Sequence, residues 1–370
     1  IPAPATPKVK VEALYLFSGE PRDNDLTMEI VRAGHDMGLE LEVTEIDINQ
    51  GPQADLRHPA AWKMILDQVS AKEYIIIFMS PPCNTFSRAL FNALIAGPLP
   101  LRTFQHPKGF PWLSGVKKEK VQAHNFLAEQ SISVARRAHE VGAIFGLEHP
   151  EDLGCRGGER PASIWQWPET QDLASASGAV RWVFHQSTFG AGSPKPTAVL
   201  TNGKQKGPFT IQGWPQFGAD GAYLGPLPKP SAPPMTMGLE NTKKTAAYPP
   251  MLCRGLAAML VSSAKGILPS WFAPEDGQEA GERTGKSVQD ASTAVVHGIR
   301  QESSSGSAHV PSSISLALSS GSAHAPSSIP YALQGGSSVG DEAIISSSHG
   351  REGDDIDGEE MDSDELDNHA

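Results

Sequence analysis

The chain has 370 residues, room for two or three domains at roughly 150 residues each, and its 30 Lys+Arg against 42 Asp+Glu give a net charge of −12. The acidity is local: residues 271–370 hold four basic against 18 acidic side chains, whereas residues 1–270 hold 26 against 24. Bulk charge of the body therefore argues neither for nor against a nucleic-acid partner, and any basic surface must be local. Cys83, Cys155 and Cys253 stand more than 70 residues apart with no Cys-x-x-Cys pair. That spacing disfavours a disulfide framework and a structural zinc site and fits a reducing, intracellular compartment. No window holds 18 uninterrupted apolar residues, which by that measure excludes a membrane-spanning helix. The chain opens on Ile1 rather than Met, as a fragment or processed form does.

In chain order, Val9–Phe17 is β-branched and apolar, and Ser18-Gly19-Glu20-Pro21 turns it into a helix over Asp25–Met37. A second strand, Leu41–Ile48, ends in carboxylates, and Pro59 opens a helix over Ala60–Val69. Tyr74–Met79 is a continuous apolar run, as a central parallel strand buried on both faces requires. A long Pro- and Gly-containing segment, 84–118, precedes a helix over Lys117–Val141 and a strand over Ala143–Leu147. The alternation predicts an α/β fold with a doubly wound sheet.

The C-terminal region differs in kind. Ser304–Leu318 and Ser319–Leu333 are tandem 15-residue copies differing at three positions, followed by an acidic stretch from Glu352 to Asp367. With few large apolar residues this region lacks the burial to offset its ordering entropy, so residues 272–370 are expected to be a disordered tail. Such a tail is a solvated spacer or a site for protein partners.

In doubly wound sheets ligands bind at the carboxyl ends of the strands. Four loops meet that edge: Gly19 after the first strand, Glu45 and Asp47 closing the second, Ser80-Pro81-Pro82-Cys83 after the buried strand, and Glu148-His149-Pro150 after the next. Cys83, approached through two prolines, is placed as a nucleophile or is a buried small residue. Glu148, desolvated, would hold a proton to give to a ring nitrogen. Glu45 and Asp47 stand where such folds set an acid on a ribose diol, or belong to an exposed alternating strand. His124 and His185 have no second ligand at metal spacing, so no metal site is expected. Trp165 and Trp167 read as packing at the sheet edge.

Pro82-Cys83-Asn84-Thr85-Phe86-Ser87-Arg88-Ala89 resembles the Pro-Cys-x-x-Phe-Ser-x-Ala nucleophile motif of the DNA cytosine-5 methyltransferases. Phe17-Ser18-Gly19 is similar to that family's S-adenosylmethionine loop, Glu45 or Asp47 to its ribose acid, Asp55 to the Asp near the adenine, and Glu148-His149-Pro150 to its Glu-Asn-Val/Pro motif. Phe189-Gly190 through Lys195-Pro196-Thr197, with Thr201-Asn202, resembles a segment of phage-type members, and Tyr248-Pro249-Pro250 the start of their final helix. The likeness spans about residues 9–262 and implies a Rossmann-like methyltransferase domain over 1–271, with 203–247 as a reduced target-recognition insert. It implies S-adenosyl-L-methionine as cofactor, held by Phe17, Ser18, Gly19, Glu45, Asp47, Asp55 and Pro81. It implies Cys83 as the nucleophile on cytosine C6, Glu148 as the partner of N3, and DNA contacts from Ser87, Arg88, Lys195 and Thr197. Arg88, Arg102, Lys108, Lys117 and Lys118 of the segment after Cys83 are candidate phosphate contacts or ordinary loop charges.

Several residues depart from the family pattern. Pro21 replaces a glycine, Asn84 a glutamine and His149 an asparagine, and the Gln-x-Arg-x-Arg motif is missing apart from Gln186. The near match of Ser80-Pro81-Pro82 to the motif of amino-group methyltransferases fails at Cys83, where those enzymes carry an aromatic residue. The likeness places a DNA-modifying enzyme in the nucleus if the source is eukaryotic. The rivals are a catalytically silent nucleic-acid-binding scaffold and an RNA cytosine-5 methyltransferase.

Overall fold

Residue by residue, the sheet is built from apolar runs whose ends are fixed by caps and turns. The computed structural model describes residues 9–91, 98–156, 158–230 and 247–273. Residues 274–370, with the tandem repeat and acidic stretch, and residues 231–246 of the insert lie outside the described residues.

Strand β1 (Val9–Leu16) ends where Phe17 takes φ +63° and Gly19 φ +74°. Asp25 then caps α1 (Leu26–Asp36) by accepting from the Met28 N–H at 2.9 Å. Strand β2 (Leu39–Ile46) pairs in parallel with β1. It starts and stops two residues before the expected span, because Asp47 caps a 3-10 turn over Ile48–Gln50. Helix α2 (Pro59–Ser70) begins on its proline and is pinned by Trp62, whose indole N–H reaches the Leu56 carbonyl at 2.5 Å. Strand β3 (Ile76–Met79) is completely buried, as its unbroken apolar run requires. The 26-residue helix α3 (Gly115–Glu140) leads to β4 (Ile144–Pro150), and α4 (Pro168–Ser177) leads to β5 (Val180–His185) and β6 (Pro196–Thr201). A small hairpin of β7 (Gln216–Phe217) and β8 (Tyr223–Gly225) precedes the last described helix, α5 (Pro250–Trp271).

The main sheet has the order β2-β1-β3-β4-β6-β5. The pairs β1–β2, β1–β3 and β3–β4 are parallel, while β6 runs antiparallel to both neighbours. The chain is thus a mixed α/β protein with a six-stranded, mostly parallel sheet flanked by helices, compatible with a Rossmann-like fold. The reversed strand corrects one expectation. Glu148-His149-Pro150, read from sequence as a loop after the strand, continue β4, with Glu148 opposite Val199 and His149 opposite Ala198. The parallel ladder with β3 does stop at Leu147, but β6 carries the backbone hydrogen bonds three residues further. Asn202, just past β6, clamps the start of β4 through the Phe145 N–H at 2.9 Å and the Ala143 carbonyl at 2.8 Å.

Helix α5 corrects a second expectation. It contains no unbroken run of 18 apolar residues, yet a mean hydropathy of 1.4 over an 18-residue window makes it long and apolar enough to cross a membrane by composition. In this fold it packs on α1 and β4 and buries Leu252, Leu256, Met259, Leu260 and Val261 completely. At roughly 1.5–3 kcal/mol for each such side chain, that face is a major part of the core.

Candidate active site

The strand order moves outward from β1 to β2 and then back across β1 to β3, so the loops after β1 and β3 diverge and leave a crevice at the carboxyl edge. Ser80 ties the two loops together. Its N–H reaches the Leu16 carbonyl at 3.3 Å and its hydroxyl donates to the Phe17 carbonyl at 3.0 Å. Pro81 is buried and Pro82 half-buried, so the approach to Cys83 is stiff. Cys83 caps the 3-10 turn Asn84–Phe86, and the buried Phe86 ring anchors that turn from below. The Arg102 guanidinium lies 3.8 Å from the Phe86 ring centre, and the His149 ring meets it edge-on at 4.8 Å.

Glu148 enters from the adjacent strand, one residue past the last β3–β4 pair, and is buried. Desolvation pushes its carboxyl up from the ordinary range, and the Lys195 ammonium partly opposes this. Cys83 keeps some surface open to solvent, yet crowding around its sulfur pushes the thiol up to about 11. The neighbouring Glu148 charge acts in the same direction, and Lys195 pulls against both. Cys83, Glu148 and Lys195 therefore feel one another. The buried Tyr248 hydroxyl completes the group: it interacts with Glu148 and Ser80, is held protonated by burial, and makes no hydrogen bond of good geometry among the described residues. Lys195 stands 5.9 Å from the centre of the Tyr248 ring.

His149 is buried between Phe86 and Trp165, and both its ring nitrogens lack a partner among the described residues. Burial pushes it down to about 3, with the Arg102 charge adding to the effect, so it is a neutral aromatic spacer at physiological pH. In this place it supports the Cys83 turn by packing instead of hydrogen bonding. His124 is also internal, its Nδ1 3.1 Å from the Thr85 hydroxyl.

Of the residues expected to hold a cofactor, Phe17, Ser18 and Gly19 form the turn after β1, and Asp47 closes it by accepting from the Gly19 N–H at 2.9 Å. The second Asp47 oxygen accepts from the Asn49 N–H at 2.9 Å. Glu45 accepts the Thr27 hydroxyl at 2.7 Å, and Asp55 holds Arg57, which keeps the Asp55 carboxyl low despite partial burial. The Ser18 hydroxyl is buried without a partner among the described residues. A Cβ added at Gly19 would meet nothing within 4 Å, so space remains beside this turn.

The candidate nucleic-acid contacts separate into two groups. Lys195 lies at the site, whereas Thr197 is buried in β6 and accepts from the Gln186 amide at 3.0 Å. Ser87 is half-buried, and Arg88 turns inward to the Cys155 carbonyl at 2.7 Å. The expectation of five phosphate-facing charges after Cys83 needs correcting. Arg102 is completely buried, bonded to the Pro107 carbonyl and Asn125, and pushed down to about 9 by burial. Lys108 pairs with Glu129 and Glu169. Of these five charges, Lys117 and Lys118 remain exposed, at the start of α3.

Sequence reasoning missed Tyr248 and Ser80 as neighbours of the catalytic candidates. Tyr248 carried one signal, its position before two prolines that open an apolar helix. Trp165, Trp167, Trp214 and Phe217 pack inward, as the sequence allowed. Among the described residues no three His, Cys, Asp or Glu side chains converge on a metal position. These features define an α/β protein with a candidate catalytic edge beside its switch point. No protein-family model matches the chain, and comparison with curated proteins finds no match.

Proposed function

We propose that the protein is an S-adenosyl-L-methionine-dependent DNA cytosine-5 methyltransferase. The observation that carries this reading is the pairing of Cys83 and Glu148, delivered by adjacent strands beside the switch point, both pushed up by burial, with Lys195 acting on each. Cytosine C5 is a weak nucleophile, and a cysteine and a carboxylic acid on neighbouring strand ends are the pair needed to activate it.

The turn residues fit the cofactor. Ser18 has a hydroxyl without a partner among the described residues, Gly19 leaves open space, and Asp47 braces the turn through the Gly19 N–H. S-adenosylmethionine, when bound there, would supply an electrophilic methyl group. The remaining chemistry belongs to the chain. The Cys83 thiol loses its proton to solvent and its sulfur bonds to C6, while Glu148 gives its proton to N3 and the ring electrons collect at C5. After C5 takes the methyl group, its hydrogen leaves as a proton to solvent. The N3 proton returns to Glu148, and the C6–sulfur bond breaks with its electron pair on Cys83. With the thiol near 11, only about one molecule in ten thousand carries a thiolate at pH 7. The Lys195 charge favours ionisation of this thiol. The target base must leave its stack, which costs a few kcal/mol.

Incubation of the full chain with DNA, RNA and methyl-labelled S-adenosylmethionine, followed by nucleoside mass spectrometry, tests the proposal. The expected result is label in DNA 5-methylcytosine that vanishes in Cys83→Ser. Label in RNA only would move the substrate, label in an amino-methylated base would overturn the role of Cys83, and no label with cofactor binding intact would identify a silent scaffold.

A further inference from the structure

A second cavity flanks the catalytic candidates. It holds about 370 Å³, within the usual range of small-ligand sites at about 300–1,000 Å³, and lies between the turn after β1, the β5–β6 loop and the start of α5. Arg22 and Lys195 bring two positive charges to its lining, against one carboxylate, the exposed Asp23. Asn24, Gln186, Ser193 and Tyr248 supply neutral hydrogen-bonding groups.

Two features mark the cleft as a built site. Gln186 is 1% exposed, and its carbonyl oxygen lacks a partner among the described residues. A buried polar atom left in that state is costly, and a ligand would relieve the cost. Asn24 and Lys195 also hold positive φ, +57° and +34°, although both carry side chains. Backbone of this kind is uncommon outside glycine and gathers at binding sites.

The charge balance of the lining, two cations against one carboxylate, favours an oxyanion over a cation. Two oxyanions are at hand in the proposed reaction, a nucleic-acid phosphate and the carboxylate of the cofactor. Lys195 and Tyr248 line this cleft and also act on Glu148. A nucleotide whose base reaches Glu148 therefore carries its own phosphate past the same two residues. We propose that the cleft is the seat of the target nucleotide's phosphodiester and sugar, with Arg22 and Lys195 as the phosphate contacts and Asn24, Ser193 and Gln186 as polar contacts to the sugar. This assignment rests on the reading of Cys83 and Glu148 as the cytosine site. It adds Arg22, a residue of the cofactor-side turn, to the nucleic-acid contacts.

The test uses the full chain and fluorescein-labelled duplex DNA containing one mismatched 5-fluorocytosine, with anisotropy read across a salt series. Arg22→Gln and Lys195→Gln should each flatten the slope of log affinity against log salt by about 0.9, and the double variant by about twice that. Affinity at low salt should fall about tenfold for each single variant, Arg22→Lys should restore most of it, and thermal melts identify any variant that fails to fold. Affinity for S-adenosylhomocysteine, measured in parallel, should stay within about twofold for Arg22→Gln. Unchanged slopes would overturn the proposal, as would a loss confined to S-adenosylhomocysteine, which would make the oxyanion the cofactor's carboxylate. Covalent adduct formation by the unmodified protein separates the two readings. An adduct with unchanged slopes removes the cleft assignment alone, whereas flattened slopes without an adduct remove the cytosine chemistry and leave the cleft.

Discussion

Glu148 and Glu151 stand three residues apart at the same end of β4, both buried and both pushed up by desolvation, and the protein partners them differently. Glu151 is saturated. One oxygen pairs with the completely buried Arg181, the other accepts the Tyr223 hydroxyl at 2.9 Å, and its N–H reaches the Pro196 carbonyl at 3.0 Å. Arg181 in turn donates to the Gly213 carbonyl at 2.8 Å and lies 4.5 Å from the Trp165 ring centre. Glu148 has no such cage. It sits with the half-buried Cys83, the Tyr248 hydroxyl and one lysine, and burial pushes its carboxyl up. A buried acid that the fold uses for attachment is fully paired, and one left poised between protonation states is available for chemistry.

The largest effect should come from breaking the attachment. Arg181→Ala leaves Glu151 as a lone buried charge and should cost about 3–5 kcal/mol, lowering the melting temperature by on the order of 10 °C. A loss of a degree or less in calorimetry would show that the pair is not the anchor of the 213–227 segment. His149 lies between the two acids, and its two orphaned nitrogens each carry a desolvation cost of about 1–3 kcal/mol. His149→Phe should therefore leave the melting temperature unchanged or raise it by a few degrees, and a large loss would reveal a hydrogen bond to this ring.

The smallest effect is also the most specific. Glu148 binds its proton more tightly folded than unfolded, so its contribution to stability is complete at acid pH and declines as pH rises through its elevated value. Glu148→Gln removes that decline. The variant should melt above the wild type at pH 8, with the gap closing toward pH 4. Glu151→Gln should instead destabilise at pH 8, since it leaves Arg181 unpaired, and identical behaviour of the two variants would erase the contrast.

The sequence made the parallel half of the sheet legible because each element there announces itself locally. The unbroken run before Met79 can only be a strand buried on both faces, and Asp25 and Pro59 mark helix starts to within a residue. The two carboxyl-edge loops holding Gly19 and Cys83 followed from that alternation. What escaped were arrangements set by distant partners. The extension of β4 through Pro150 depends on β6, and the inward turn of Arg88 and Arg102 depends on carbonyls and an amide elsewhere in the chain. A charge in a Pro- and Gly-containing segment reads as solvated until its acceptors are known. Tyr248 stayed hidden for the same reason, since its neighbours Tyr15, Ser80 and Glu148 come from three other strands or their ends.

The reversed strand β6 also sets an order of events during synthesis. Strands β1 to β4 leave the ribosome first, and β4 then waits about 45 residues for the segment that covers its outer edge. At about 5–20 residues per second that is a few seconds with an apolar edge exposed. Until β6 and α5 arrive, Glu148 remains hydrated and an ordinary carboxylate. The candidate catalytic edge is thus encoded in the first half of the body but comes into being only when the second half closes over it, and a chain ending before Pro196 should aggregate without acquiring the paired Cys83–Glu148 environment.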